Sequence, residues 1–227
     1  MDLGLTGRVA LVAAASKGLG KAVAREFARE GARVAIFSRD QQRIEQAARE
    51  IREETGAEVL ALTADARRAE DITRGPPAGT FETLSEQDFI DAIELNLLST
   101  LRMCRAAVPH LKDRGGSIVT ITSISVKQPL DGLILSNTAR SGVVGLVKSM
   151  ANELGRYNIR VNNVGPGPTR TDRILDLARS RAEREGIALE DALRDNAQGI
   201  PLGRLGEPDE FARVVVFLSS PAASYVT

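Results

Sequence analysis

A strand, a glycine-rich turn, a helix and a second strand follow one another between Arg8 and Asp40. No other stretch restricts the possible folds of the chain as strongly. Arg8-Val-Ala-Leu-Val12 is short, apolar and β-branched, lies between Gly7 and a small-residue turn, and reads as a buried strand. From Leu19 the apolar residues fall at Leu19, Ala22, Val23, Phe27 and Ala28, one stripe of a helix, and Gly31 stops it. Arg33-Val-Ala-Ile-Phe37 is a second buried strand. The turn Ala13-Ala-Ala-Ser-Lys-Gly-Leu-Gly20 stands where the helix begins. A helix N-terminus offers unpaired N–H groups and partial positive charge, so it binds a pyrophosphate if the backbone can come close. Gly18 would permit that approach, Gly20 would let the helix pack near the strand, and Ser16, Lys17 and Leu19 complete the loop. An earlier glycine usually makes the tight turn. Its place is taken by Ala14, whose Cβ disfavours positive φ, so strain is expected there. A glycine turn serving only helix–sheet packing is the competing interpretation; the strand–helix setting favours nucleotide binding.

The remaining pattern alternates in the same way. Helices are expected over Gln41–Glu54, from Ser85 to about His110, over Asn137–Tyr157, Arg173–Glu185 and Leu189–Asn196, and from Pro208. Strands are expected at Val59–Leu62, Ser117–Ile121 and Ile159–Val164. This alternation argues for a Rossmann-like, doubly wound parallel sheet in a three-layer α/β/α arrangement. At 227 residues and 43% hydrophobic content the chain is most simply one dinucleotide-binding domain over 1–227, with a charged helical flap at about 170–200. Two strands of the pattern have no apolar run to form them, the fourth and the last. Arg67–Ile72 runs straight into Thr73-Arg-Gly-Pro-Pro-Ala-Gly79, and about twenty residues are expected to be missing near Ile72–Thr73. The final strand is expected to begin only at Ser224–Thr227.

Thirty basic and thirty acidic residues balance, which argues against a nucleic-acid or anionic-membrane partner. No apolar run approaches membrane-spanning length, and the first residues lack the features of a signal peptide, so an intracellular, cytoplasmic protein is expected. Cys104 is the sole cysteine and reads as a buried, inert thiol; His110, the sole histidine, reads as a helix-end surface residue, and no metal site is expected. Ser38 and Arg39 follow the second strand, where an NAD-preferring site would carry an acid. Arginine accommodates a ribose 2′-phosphate, and Lys17 could add a second charge, so NADP(H) is favoured and NAD(H) remains possible. Asp65 reads either as an adenine contact or as a turn aspartate.

With Ala13…Gly18-Leu-Gly20, Asp65, Glu-Leu-Asn96-Leu-Leu-Ser, Ser123 after a strand, Arg160-Val-Asn-Asn, Pro166-Gly167, Thr171-Asp172 and Pro201–Ala212 in place, the chain resembles the short-chain dehydrogenase/reductase family over nearly its whole length. Among its members the 3-oxoacyl-acyl-carrier-protein reductases and glucose dehydrogenases are most similar. The resemblance implies hydride transfer to a small-molecule carbonyl or from an alcohol, with Pro166, Gly167 and Thr171 joining the cofactor contacts. It also implies a homotetramer or homodimer. In the family a serine polarises the carbonyl, a tyrosine moves the proton, a lysine tunes that tyrosine and holds the ribose, and an asparagine supports a proton relay. Ser123 and Asn96 match. The tyrosine position is Ser136 and the lysine position is Arg140. An aliphatic hydroxyl is far less acidic than a phenol near pKa 10, and a guanidinium can hold ribose or phosphate but does not shuttle protons. Two functions follow: an oxidoreductase with rearranged acid catalysis, or a nucleotide-binding pseudoenzyme acting as a partner or sensor.

Overall fold

A computed structural model describes residues 2–64 and 77–227. Asp65 and the expected gap at Ile72–Thr73 lie outside the described residues. The chain sorts into two compact units, Met1–Ala64 with Gly167–Phe217, and Asp65–Pro166 with Leu218–Thr227.

In the first unit, β1 (Val9–Ala13), β2 (Arg33–Ser38) and β3 (Val59–Thr63) form a parallel sheet in the order β1-β2-β3. Helices α1 (Gly18–Arg29) and α2 (Gln41–Thr55) make the crossovers. Strand parity decides which side chains the helices cover. Val12, Val34, Ile36 and Val59 are buried, as are Val23 and Phe27 of α1 and Ile44 and Ile51 of α2. Each such burial contributes about 1.5–3 kcal/mol. Asp40 begins α2 by accepting from the Arg43 N–H at 3.0 Å, and Gly56 ends it in the left-handed conformation, φ 69°. Ion pairs clasp the outer surface: Lys21 with Glu50, Arg25 with Asp209, and Arg29 with Glu54 and Asp209.

The opposite sheet face corrects the expectation that β1 is a buried strand. Val9 and Leu11 are 67% and 62% exposed, and Leu60 and Leu62 of β3 are 56% and 42% exposed. The register places Leu11, Ala35 and Leu60 in one row and Ala13, Phe37 and Leu62 in the next, so these residues share a face. Parallel sheets ordinarily have both faces covered. Here an apolar run reports a strand, and among the described residues of this unit the Val12 side of it is the buried one.

In the second unit, Ser85 and Asp88 form a reciprocal capping box that starts α3 (Glu86–Ile93). A π-helical turn, Glu94–Leu98, connects α3 to α4 (Ser99–Leu111). Strands β4 (Gly116–Ile121) and β5 (Ile159–Val164) pair in parallel, from Gly116 opposite Ile159 to Ile121 opposite Val164. Helix α5 (Ile134–Leu154) packs Val143, Val147 and Ala151 onto Ile159 and Val161. Its N-terminal end packs Leu135 and Ala139 against Ala92 of α3. Pro221–Ala223 is a 3-10 turn, and Ser224–Thr227, where a final strand was expected to begin, follow it without strand pairing. The Arg160 guanidinium donates to the carbonyls of Leu218, Ser220 and Val226, and the Val161 N–H donates to Thr227 Oγ1 at 2.9 Å. Burial pushes the Arg160 pKa down.

The first unit also holds α6 (Asp172–Glu185), α7 (Leu189–Asn196) and most of α8 (Pro208–Ser219). The expected flap is thus a helical hairpin. Ala178, Ala182 and Ala192 form its own buried cluster, and Arg181 bridges Glu185 and Asp195 across it.

Candidate active site

The glycine turn of the first unit has the geometry its sequence requires. Ala14 sits at φ +53°, one of two non-glycine residues with positive φ among those described. The left-handed region costs an L-residue about 1–2 kcal/mol. That strain is where sequence placed it. Gly18 is also left-handed, φ +58°, and a Cβ added there would meet only Thr171 Cγ2, at 3.9 Å. Thr171 is therefore beside the turn. Gly20 has a different reason to be glycine: its Cβ would lie 2.6 Å from the Ala14 carbonyl oxygen. Helix α1 and the end of β1 approach as closely as a hydrogen atom allows.

Lys17 occupies the N-cap of α1 in extended backbone, and its side chain makes no cap hydrogen bond. Helices α2 and α3, by contrast, are capped by Asp40 and Ser85. An uncapped N-terminus behind two glycines is a cradle for an anion, and a dinucleotide pyrophosphate fits it. The Ala15 N–H donates to Phe37 O at 3.4 Å, which ties the turn to the end of β2. Ser38 and Arg39 leave β2 at that same edge of the parallel sheet, and Gly167 has open space where a side chain would stand.

The second unit gathers the hydroxyls. Ser123 leaves β4 and caps the 3-10 turn Ile124–Val126, accepting from the Ser125 N–H at 3.1 Å. With one lone pair engaged by an N–H, the Ser123 hydroxyl proton is available to an external acceptor such as a carbonyl oxygen. Pro166 reaches this loop, because the Ile124 N–H donates to its carbonyl at 3.0 Å. Gly165 must be glycine: a Cβ there would lie 2.9 Å from Ser123 O.

Helix α5 starts at Ile134, three residues before the expected Asn137, so Ser136 lies inside its first turn. Arg140, one turn later, donates through Nε to Ser136 Oγ at 3.1 Å and through Nη1 to Ile121 O at 3.5 Å. Its guanidinium thus spans from Ser136 to the last residue of β4, two positions before Ser123. Ser136 and Arg140 act as a pair. A guanidinium donating to the hydroxyl oxygen polarises the O–H bond and leaves its proton free. Two hydroxyls and a fixed cation can stabilise negative charge developing on a carbonyl oxygen. Asn96 lies in the π-helical turn, and its Nδ2 donates to Ala92 O at 2.9 Å, taking up a carbonyl displaced by the turn.

Sequence reasoning passed over three neighbours. Asn137 clamps the preceding loop, donating to Leu130 O at 3.0 Å and accepting from its N–H at 3.4 Å. Thr122 Oγ1 and Ser125 Oγ are buried without a hydrogen-bond partner. The hydroxyl run Thr122-Ser-Ile-Ser125 at a strand end was the available signal. Cys104 is buried and burial pushes its thiol pKa up, as befits an inert residue. Among the described residues no cluster of histidine, cysteine or carboxylates could hold a metal ion, and no helix is long and apolar enough to cross a membrane.

Comparison with known proteins gives consistent relatives. Residues 8–75 match the family model described as short chain dehydrogenase, and residues 72–227 match that described as enoyl-(acyl carrier protein) reductase. Dehydrogenase/reductase SDR family member 4 of Oryctolagus cuniculus is 33% identical, covering 98% of this chain and 90% of its own length. That alignment runs over 245 residues and this chain has 227, so the relative carries residues without counterpart here. The 3-oxoacyl-acyl-carrier-protein reductase of Chlamydia muridarum is 29% identical over 98% of this chain and 94% of its own. Among solved structures, L-sorbose reductase from Gluconobacter frateurii, complexed with NADPH and L-sorbose, superposes with a TM-score of 0.94 at 28% identity, covering 100% and 95% of the two chains. An NADPH-bound short chain oxidoreductase from Pseudomonas aeruginosa PAO1, described as containing an atypical catalytic center, gives 0.85 at 30% identity, covering 97% and 92%.

Proposed function

Because the chain belongs to the short-chain dehydrogenase/reductase family, we propose that it is an NADP(H)-dependent oxidoreductase in which Ser123, Ser136 and Arg140 carry the work of the usual serine, tyrosine and lysine. The Arg140–Ser136 hydrogen bond of 3.1 Å carries this reading. It joins both departures from the family pattern into one polar device. NADPH supplies the hydride. The protein supplies the rest. Ala14, Ser16, Gly18, Leu19 and Gly20 receive the pyrophosphate at the α1 N-terminus, with Gly167 and Thr171 beside it. Lys17, Ser38 and Arg39 take the ribose 2′-phosphate, Asp65 the adenine, and Pro166 and Arg140 the nicotinamide end.

Ser123 donates to the substrate carbonyl oxygen. Ser136, polarised by Arg140, donates to the same oxygen and draws its replacement proton from water. An aliphatic hydroxyl is a weak acid and a guanidinium does not shuttle protons, so stabilisation of the developing alkoxide is electrostatic more than acid–base. Asn96 holds the relay water. The substrate class we favour is a 3-oxoacyl thioester, on the likeness to the Chlamydia reductase, in a cytoplasmic homotetramer or homodimer of one-domain subunits. The Pseudomonas oxidoreductase, NADPH-bound and described as containing an atypical catalytic center, supports cofactor binding beside an unusual centre.

Absence of a tyrosine at Ser136 favours a second reading, a nucleotide-binding partner protein without turnover. One experiment separates them. NADPH consumption is followed with a 3-oxoacyl thioester and with a ketose, in wild type, Ser123→Ala and Ser136→Tyr with Arg140→Lys. Slow wild-type turnover that Ser123→Ala abolishes is expected. The double replacement should raise it by about 10²–10⁴-fold, the usual worth of a positioned general acid. NADPH binding without consumption by wild type would establish the second reading.

A further inference from the structure

The first unit contains an open cleft of about 470 Å³ that runs from Ser16 in the glycine turn to the first turns of α2. Lys21, Arg43, Arg49 and the carboxylates of Glu45 and Glu50 also line it. Most of these charges are already engaged. Lys21 pairs with Glu50, Gln41 donates to Glu45 at 2.9 Å, and Arg49 donates to Gln46 at 2.8 Å. Arg43 differs. Its only ion pair among the described residues is to Asp40, Nε to Oδ2 at 3.2 Å, with the two side chains 66% and 48% exposed. Such an exposed pair is weak and exchanges readily with a stronger anion.

Position gives Arg43 a use. It stands in the first turn of α2, four residues after Arg39, and lines the cleft that opens at the phosphate-binding turn. A phosphate dianion offers a guanidinium two parallel hydrogen bonds and more charge than one carboxylate. Resting on the proposed use of NADPH, we propose that Arg43 is a specificity-determining residue for the ribose 2′-phosphate, and that Asp40 opposes it. Asp40 holds Arg43 in the free protein and places a negative charge beside the guanidinium that the phosphate would engage. Binding exchanges the carboxylate for the phosphate as the partner of Arg43.

The two residues therefore predict changes of opposite sign. Dissociation constants for NADPH, NADH, adenosine 2′,5′-bisphosphate and adenosine 5′-monophosphate are measured by direct titration of wild type, Arg43→Gln and Asp40→Asn. Arg43→Gln should weaken NADPH and the bisphosphate about tenfold while leaving NADH and the monophosphate within about twofold. Asp40→Asn should tighten the two 2′-phosphorylated ligands about two- to fivefold, because asparagine keeps the N-cap of α2 and removes only the charge. Circular dichroism melting confirms that both variants are folded. Equal shifts for phosphorylated and unphosphorylated ligands, or none, with wild type still preferring NADPH, would overturn this role for Arg43 alone. A wild type without preference for NADPH would overturn the cofactor reading and this inference with it.

Discussion

Gly20→Ala tests whether the close approach of α1 to β1 is a requirement of the fold. The new Cβ would stand 2.6 Å from Ala14 O, 3.1 Å from Ala14 C and 3.2 Å from Ala15 Cα, all backbone atoms, where ordinary contact begins at 3.4 Å. No rotamer relieves a clash with backbone. Either α1 slides outward or the turn opens, and overpacking of this kind costs about 1–3 kcal/mol. Alanine's better helix propensity returns at most about 1 kcal/mol. With that return in full the net loss is up to about 2 kcal/mol, which for a chain of this size lowers Tm by up to about 8 °C. Differential scanning calorimetry of the purified variant measures it, and NADPH titration should show weaker binding because the helix end has moved. A raised Tm would refute the argument that Gly20 is fixed by helix–strand distance.

Two further predictions concern single residues. Ala14→Gly relieves a left-handed alanine at φ +53° and should raise stability by about 0.5–1 kcal/mol after the added flexibility of the unfolded chain is offset, read as a higher denaturant midpoint. Glu210 is held at a pKa of about 2, against an ordinary 4.5, because Arg204 donates to both its oxygens and the Glu207 N–H donates to one. A lowered carboxylate pKa stabilises the fold fully above pH 4.5, and that stabilisation is lost as the pH falls through about 2. Acid unfolding of Glu210→Gln should therefore show a flatter stability profile than wild type between those limits.

The local chemistry of the site was largely legible from residue types. A turn that needs positive φ at an alanine is a statement about Cβ, and Ala14 obeys it. The capping box at Ser85 and the glycine stop at Gly31 depend on neighbours in sequence, so they too could be read. The start of α5 could not. Its N-cap residue Leu133 makes no side-chain cap, whereas Ser136-Asn137 imitates one while lying inside the helix. The π-helical turn around Asn96 escaped because a shift in backbone bonding barely disturbs apolar spacing over five residues. The exposed side of β1 escaped for a related reason: periodicity reports which residues share a face, and only tertiary structure reports what lies against it.

The hairpin of α6 and α7 has a mechanical consequence. Alanine side chains lose no rotamer freedom when they pack, so Ala178, Ala182 and Ala192 join the two helices at small entropic cost and short range. Gly186 closes the bend at φ +67°, and Arg181 rivets the two arms together. Displacement of such a piece is that of a stiff lever, with bending concentrated at its roots, where Gly199 and Gly203 both adopt backbone torsions that other residues resist. A substrate pressing anywhere along the lever would be felt at its base.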